Sequence, residues 1–266
     1  MASTFPFEIE EIILDFLAED DEFEGHPALK TCSLVCKAFL PICRKHIFGS
    51  IVLDDEVASP SRSSPITHAF DRLLHETPEI AHYIRKLEYY YETVDLPSPS
   101  IQESLKQISR LEFLTVWQHD RYYLSWSNIP IRSALLHLLH LPTLTHLKVI
   151  NINGFVASDL VSCINLKYLE IGRFTTMADE HTFPATMPEH SIQLNEFIAR
   201  IRTHTAVMKL CTARRPDGQP IIDFGSLSKI TVTFQTHDES ETSQELFRRC
   251  HSLTSVKITC KLIPSL

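Results

Sequence analysis

Glycine is scarce in this chain: only six of the 266 residues are glycine. The scarcity excludes the glycine-rich loops that cradle phosphates, because neither a Gly-x-Gly-x-x-Gly nor a Walker-type sequence can be assembled. Long hydrophobic runs are also missing, and no stretch approaches the roughly eighteen apolar residues that indicate a membrane span. The acidic residues from Glu8 onward do not resemble the basic and then apolar regions of a secretory signal, so we expect no such signal.

Positive charge is in deficit as well. The formal net charge is −8, whereas a general nucleic-acid binder needs a basic face to neutralise phosphates. We therefore expect neither a nucleic-acid partner nor a membrane partner. The seven cysteines are odd in number and scattered, which is typical of reduced thiols and not of a disulfide framework. This pattern predicts a cytoplasmic or nuclear location.

Catalytic and metal-binding patterns are absent from the sequence. It contains no Gly-x-Ser-x-Gly and no His-Glu-x-x-His, and none of its fourteen histidines lies in a recognisable nucleophile–base setting. Cys32 and Cys36 are four residues apart on a predicted helix, which is not the tight Cys-x-x-Cys turn of structural zinc sites. His137 and His140 have no thiolate or carboxylate nearby to complete a ligand set. The sequence predicts no enzyme, no cofactor and no metal site.

The N-terminal region has the pattern of two amphipathic helices. In the segment from Thr4 to Leu17, apolar residues recur at i, i+3, i+4, i+7 and i+8, the spacing of one helix face; they are Ile9, Ile12, Ile13, Phe16 and Leu17. A second apolar-faced helix is predicted around Leu29, Leu34, Val35 and Phe39, ending near Pro41. Two short helices cannot bury this much apolar surface alone, so the segment needs a partner.

These residues resemble an F-box. The match runs through Phe5-Pro6-x-Glu8-Ile9, Ile13-Leu14-x-x-Leu17, Leu29 and Leu34-Val35-Cys36-Lys37-x-Phe39, within residues 5–53. Three departures are a Phe at position 5, a Phe at position 39 and an acidic insertion from Ala18 to His26. The resemblance implies a three-helix unit that docks on the Skp adaptor of a cullin–RING ubiquitin ligase. It assigns adaptor contacts to Phe5, Pro6, Ile9, Ile13, Leu14, Leu17, Val35 and Phe39, some of which must instead hold the helices together. The alternative is a helical cap on a larger core.

The body of the chain repeats a short apolar phrase: an apolar residue, two residues, an apolar residue, one residue, an apolar residue. Clear cases begin at Leu144, Leu166, Leu227 and Leu253, and weaker ones at Ile84 and Leu111. The middle positions are 87, 114, 147, 169, 230 and 256, which are separated by 27, 33, 22, 61 and 26 residues. Most gaps are near the period of leucine-rich repeats, about 20–29 residues. The gap of 61 predicts one degenerate or enlarged repeat.

Helix-like segments precede most of these phrases: residues 100–108, 131–139, 157–164 and 243–250. Alternating strand and helix predicts a parallel sheet lined on one side by helices. Within the long gap, residues 173–191 are predicted to be a loop, 191–211 a helix and 213–220 a tight turn. The layout resembles the leucine-rich repeats that follow F-boxes, and Asn151 is the one hint of the Asn of that signature. An ordinary α/β domain is the alternative.

Aromatic residues cluster after two of the predicted strands. Tyr and Trp suit binding hot spots because they combine large rigid area with a polar group. The candidates for substrate contact are Tyr90, Trp117, Tyr122 and Trp126. The alternative is that these rings cover the rim or cap the end of the repeats.

The sequence therefore predicts an α/β protein with three parts: an F-box at 4–53, a linker at 54–65 and a degenerate leucine-rich-repeat solenoid at 66–266. The arrangement is most similar to F-box proteins of mushroom-forming fungi. The implied function is a non-catalytic substrate-recognition adaptor in the ubiquitin conjugation pathway, with a Skp–cullin complex and a protein substrate as partners. The alternative is an interaction scaffold outside the ligase, whose helical end only caps the repeats.

Overall fold

A computed structural model describes residues 7–19, 25–35, 37–54, 65–91, 99–119, 125–179, 183–184 and 186–260. Its α-helices are α1 (Phe7–Glu19), α2 (Gly25–Val35), α3 (Phe39–Ile47), α4 (Pro65–Glu76), α5 (Pro99–Lys106), α6 (Arg132–Leu139), α7 (His204–Thr212) and α8 (His237–Arg249). Its strands are β1 (Ser50–Leu53), β2 (Lys86–Tyr91), β3 (Phe113–Gln118), β4 (His146–Ile150), β5 (Tyr168–Ile171), β6 (Ile192–Gln193), β7 (Glu196–Ala199), β8 (Ile222–Asp223), β9 (Lys229–Phe234) and β10 (Ser255–Cys260). Short 3-10 turns span Pro78–His82, Trp126–Asn128, Ala157–Leu160 and Phe224–Ser226.

Eight strands form one parallel sheet in the order β1-β2-β3-β4-β5-β7-β9-β10, and β6 pairs with β8 separately. From β1 onward, each strand of this sheet lies beside the one before it, so crossovers of one hand bring the helices α4 to α8 to the same face of the sheet. Consecutive helices pack on each other accordingly: α4 contacts α5, α5 contacts α6, and α7 contacts α8. The predicted α/β class with a parallel sheet is confirmed.

A row of apolar side chains in register forms the spine of the large core. Its members pair across neighbouring strands at the middle of each phrase, and they are Leu87, Leu114, Leu147, Leu169, Phe197 and Ile230. Each is fully or almost fully buried. Because side chains alternate between faces along a strand, every second residue points into the helix layer and the others point away.

An additional strand, β7, lies in the gap where one degenerate or enlarged repeat was predicted. Phe197 stands between Leu169 and Ile230 in the register, so the gap of 61 divides into 28 and 33 residues. The prediction of one helix over residues 191–211 is wrong, because β6 and β7 occupy its first part and α7 begins only at His204. The four residues of β7 bury three side chains in the sheet, and this burial outweighs local helix propensity.

Of the other four predicted helices, three form and one is only a 3-10 turn. Helices at 100–108, 131–139 and 243–250 are confirmed as α5, α6 and α8, the last beginning earlier, at His237. The segment 157–164 forms only a 3-10 turn, Ala157–Leu160, because 22 residues between strand centres leave little length for a helix. Of the predicted linker, residues 55–64 lie outside the described residues, and α4 begins at Pro65.

The three N-terminal helices enclose a separate small core. Its buried residues are Leu14, Leu29, Ile42 and Cys43, with Leu17, Ala18, Cys32, Phe39 and Ile47 packed against them. The prediction that the second helix runs to Pro41 is wrong: α2 ends at Val35, and Pro41 lies in the first turn of α3, where a missing N–H costs nothing.

The chain passes from the small core to the large core at the peptide bond between Ile47 and Phe48. Ile47 packs in the small core, whereas Phe48 packs in the large one. Strand β1, which the predicted boundary at residue 53 grouped with the helices, pairs along its whole length with β2. The helical unit is thus joined directly to the first strand of the sheet.

A buried carboxylate links neighbouring units of the sheet. Asp159 accepts a hydrogen bond from Trp126 Nε1 at 2.7 Å and two from Arg132 Nη2 at 2.9 and 3.1 Å. His140 Nε2 lies 3.1 Å from the backbone oxygen of Asp159. Since a buried donor that loses its acceptor keeps its desolvation cost, these contacts are expected to matter for stability.

We expect Asp159→Ala to lower the free energy of unfolding by about 1–3 kcal/mol, because it leaves the Trp126 and Arg132 donors without this acceptor. Urea denaturation followed by circular dichroism measures the change. The matched control is Glu103→Ala, whose exposed carboxylate pairs with Lys106 and with no other cation among the described residues, and which should change stability by no more than about 0.5 kcal/mol. Equal effects of the two substitutions would contradict this role for Asp159.

Candidate functional site

One candidate surface is an apolar strip on the N-terminal helices, which we call the apolar helical face. On α1 it consists of Ile9, Ile12, Ile13 and Phe16, and at the end of α2 of Leu34 and Val35. All six are exposed, with Ile12 at 63%, Phe16 at 72% and Leu34 at 86%. Single exposed apolar residues are ordinary, but several together mark an interaction surface.

Polar contacts fix which way α1 faces. Asp15 Oδ1 lies 2.6 Å from His46 Nε2 and 3.7 Å from Lys45 Nζ on α3, and Glu11 lies 3.4 Å from the same lysine. Leu14 points into the small core. The side of α1 that carries Ile12 and Phe16 is therefore left toward solvent.

The structure separates the residues assigned to the adaptor by resemblance. Phe5 and Pro6 lie outside the described residues. Ile9, Ile13 and Val35 belong to the apolar helical face, whereas Leu14 is buried. Leu17 and Phe39 pack half-buried against the small core.

Three other exposed residues of this face, Ile12, Phe16 and Leu34, were not among the residues assigned to the adaptor. The helical spacing in the sequence already placed Ile12 and Phe16 on the apolar face of α1. Leu34 stands in the part of the sequence that resembles an F-box.

The second candidate surface is the sheet face opposite the helices, which we call the open face. Strand alternation assigns to it one set of residues in register: Lys86, Phe113, His146, Tyr168, Glu196 and Lys229. The next set toward the strand ends is Glu88, Thr115, Lys148, Glu170, Ile198, Thr231 and Lys257. None of these residues belongs to the large core or packs against it.

Aromatic rings line two parts of the open face. The ring of His146 stacks between Phe113 and Tyr168, with centroid distances of 4.1 and 5.3 Å. Nearer the strand ends, Tyr90 lies 5.3 Å from Trp117 and 6.0 Å from His119. Cross-strand aromatic pairs stabilise a sheet and leave ring surface available to a ligand.

An ion cluster, which we call the Glu170 cluster, lies at the centre of the open face. Glu170 is buried and accepts hydrogen bonds from Arg200 Nε and from the Tyr168 hydroxyl, both at 2.7 Å. Arg200 donates to Oε1 and Tyr168 to Oε2, and Lys148 Nζ lies 3.8 Å from Oε2 and 6.0 Å from the Tyr168 ring centroid. The side chains of Lys148 and Arg200 are each nearly half exposed. One hidden carboxylate thus holds two accessible cations.

Burial and charge shift several ionisable groups on this face. Burial, with the hydrogen bond to Glu170, raises the pKa of Tyr168. Burial alone would raise the pKa of Glu88, but the hydrogen bonds from Lys86 and Tyr90 and the nearby positive charges lower it overall. Burial lowers the pKa of His146. At neutral pH the face therefore presents phenols, a neutral imidazole and a paired Glu88 carboxylate.

The four residues predicted to contact a substrate separate in the structure. Tyr90 and Trp117 lie together on the open face. Tyr122 lies outside the described residues. Trp126 is fully buried, its indole N–H bonded to Asp159 and its ring 5.0 Å from Phe155. The assignment of Trp126 to a substrate surface is wrong, because the side chain has no accessible area and serves the fold.

Among the described residues, no three His, Cys, Asp or Glu side chains are grouped so that they could hold a metal ion. Within those residues, no helix has the length and apolarity needed to cross a bilayer. Cys36, considered above for zinc, lies outside them, and no disulfide joins the six described cysteines.

No protein-family model matches the sequence, and no curated protein matches it.

The two tryptophans should report on opposite environments. In Trp117→Phe the remaining Trp126 is buried, so we expect blue-shifted fluorescence that acrylamide quenches poorly. In Trp126→Phe the remaining Trp117 lies on the open face, so we expect red-shifted emission and several-fold stronger quenching. Equal quenching of the two variants would show that the helices do not leave this sheet face open.

The pKa of His146 is expected below the ordinary histidine value of 6.5, because partial burial between two rings disfavours the charged form. Protonation then favours the unfolded chain, so this residue's contribution to stability is full above pH 6.5 and declines as the pH falls through the lower, folded-state pKa. Two-dimensional NMR of the imidazole protons, assigned with His146→Phe, gives the midpoint. A midpoint at or above 6.5 would contradict the stacked, partly buried ring.

Proposed function

We propose that this protein is the substrate-recognition adaptor of a Skp–cullin–F-box ubiquitin ligase. The N-terminal helices bind the Skp adaptor, and the strand–helix body is a degenerate leucine-rich-repeat solenoid that binds a protein substrate. The chain itself is not catalytic, because ubiquitin transfer takes place on partner enzymes. The proposal places the protein in the cytoplasm or nucleus, where six described cysteines without a disulfide would remain reduced.

The observation that carries the proposal is the apolar helical face. A helical unit with its own core needs no exposed isoleucine or phenylalanine for folding. Four such residues are nevertheless exposed on α1: Ile9, Ile12, Ile13 and Phe16. They belong to the segment whose sequence resembles an F-box. A surface with this composition supports docking onto an apolar groove of another protein.

The energy available from this face is comparable with the cost of association. Fully burying one exposed Ile or Phe side chain contributes about 1.5–3 kcal/mol. Because the six residues are between 41% and 86% exposed, burying all of them offers about 6–11 kcal/mol, against a cost of association of about 4–15 kcal/mol. Loss of two central residues should be severe, because few side chains carry most of the energy of an interface.

The regular parallel sheet supports the repeat part of the proposal. Strand centres from Ile51 to Val256 pair in chain order, and the spacing of the strands is near that of leucine-rich repeats. Asn151 adds a further feature: its backbone has a positive φ of 59°, and its side chain donates to the backbone oxygen of Gln118 in the preceding unit at 2.7 Å. A side chain that donates to the backbone of the preceding unit suits a stacked repeat.

The test is capture of a purified Skp–cullin complex by the immobilised chain. We expect Ile12→Glu/Ile13→Glu to weaken capture at least about a hundredfold, because two charges would have to be buried in an apolar contact. The matched control is Ile164→Glu/Ile258→Glu, which changes two comparably exposed isoleucines elsewhere and should leave capture unchanged. Circular dichroism verifies that both variants are folded.

No capture by the unaltered chain would overturn the ligase proposal and leave an interaction scaffold whose helices cap the repeats. Equal loss in both double variants would show that the apolar helical face is not the docking surface.

A further inference from the structure

We propose that the open face binds an extended acidic segment of a partner protein, and that the Glu170 cluster is the centre of this site. The inference deepens the proposed function and rests on it in one respect: the acidic segment would belong to the substrate of the ligase. That the face binds an anionic peptide is argued from the residues of the open face and does not depend on the ligase function.

The charge of this face is opposite to that of the whole chain. From β4 to β10, the open face carries four cations, Lys148, Arg200, Lys229 and Lys257, and two carboxylates, Glu170 and Glu196. The chain as a whole carries a net charge of −8. A local excess of positive charge on an acidic protein steers an anionic partner to that place.

The Glu170 cluster prepares its cations for a second carboxylate. Glu170 is buried with 7% of its side chain exposed, so a ligand meets the two cations and not the acid behind them. Among the described residues, Arg200 uses only Nε toward Glu170, which leaves its two terminal nitrogens for a forked contact with a carboxylate. Preorganised cations bind with less loss of side-chain entropy.

The ring stack beside this cluster gives the ligand an apolar contact. Phe113, His146 and Tyr168 lie side by side across β3, β4 and β5, and Tyr168 itself bonds to Glu170. Phe113 on β3 and Arg200 after β7 are separated by three strand spacings across the sheet, about 14 Å, and by four residues along the strands, about 13 Å. Their backbones are therefore about 19 Å apart, which an extended chain covers in about six residues. The expected segment has an apolar residue with acidic residues up to about six positions away.

A protein segment fits this face better than a nucleic acid. Nucleic-acid binding needs cations that follow a phosphate backbone with little interruption. Here Glu196 stands between Lys148 and Lys229 in the sheet, and the chain is acidic overall. The ligand chemistry is therefore a carboxylate-rich peptide.

The first step of the test is selection of peptides from a random displayed library on the immobilised full-length chain. We expect the recovered sequences to be enriched in Asp and Glu over the input library, with an apolar residue at short spacing. Recovery of basic or neutral sequences would overturn the proposal. So would binding of a single-stranded RNA oligonucleotide more tightly than any selected peptide.

The second step assigns the site by calorimetry with one synthetic selected peptide. We expect the triple variant Lys148→Gln/Glu170→Gln/Arg200→Gln to raise Kd at least about tenfold, because two charge-assisted contacts are lost. Removing Glu170 together with its cations avoids leaving a buried carboxylate unpaired. The control Arg72→Gln/Lys106→Gln removes one Arg and one Lys from the helix side and should not change Kd.

The single variant Glu170→Gln separates ligand contact from support of the fold. It keeps both cations and removes the competing carboxylate, so we expect unchanged or tighter binding. Weakening as large as in the triple variant would assign the effect to folding of the face and overturn the proposal.

Capture of the Skp–cullin complex by the same preparations keeps the two proposals apart. Acidic-peptide binding without capture would support the open-face site and reject the ligase function. Capture without enrichment of acidic peptides would support the ligase function and reject the open-face site.

Discussion

Burial of one row of apolar side chains, in register across the parallel strands, is the constraint on which the rest of the structure depends. From Leu87 to Ile230 each member of the row lies directly beside its neighbour and is shielded by the helix layer. A shift of any strand by one residue would exchange its buried and open sides. The row therefore fixes the register, and through the register it fixes which residues reach the open face.

The open face and the apolar helical face are both consequences of that arrangement. Helices cover one side of the sheet only, so the residues pointing the other way, such as Phe113, Tyr168 and Lys148, remain available. The N-terminal helices have their own core, and the change of core between Ile47 and Phe48 lets their outer side keep Ile12 and Phe16 exposed. One surface is apolar and helical, the other aromatic and cationic, so each suits a different partner.

Sequence periodicity predicted the sheet well because its signal is the burial pattern itself. Leu147 and Leu169 could be found by spacing, and so could the missing unit near Phe197. The helix predicted over residues 191–211 failed because β7 is too short to show a period and is defined by its neighbours. The Glu170 cluster was not predicted, since Glu170, Arg200 and Lys148 are brought together only by the register of three strands. Trp126 was misassigned because aromatic composition alone does not distinguish a binding ring from a core ring.

The central claim is that the apolar helical face docks on the Skp adaptor while the open face stays accessible to a substrate. Hydroxyl-radical footprinting of the chain, alone and in complex with the purified adaptor, tests both halves of the claim at once. We expect oxidation of Phe16 and Leu34 to fall strongly in the complex, while Phe113 and Trp117 on the open face keep their reactivity. Unchanged oxidation of Phe16 and Leu34, or protection of the open face in their place, would contradict it.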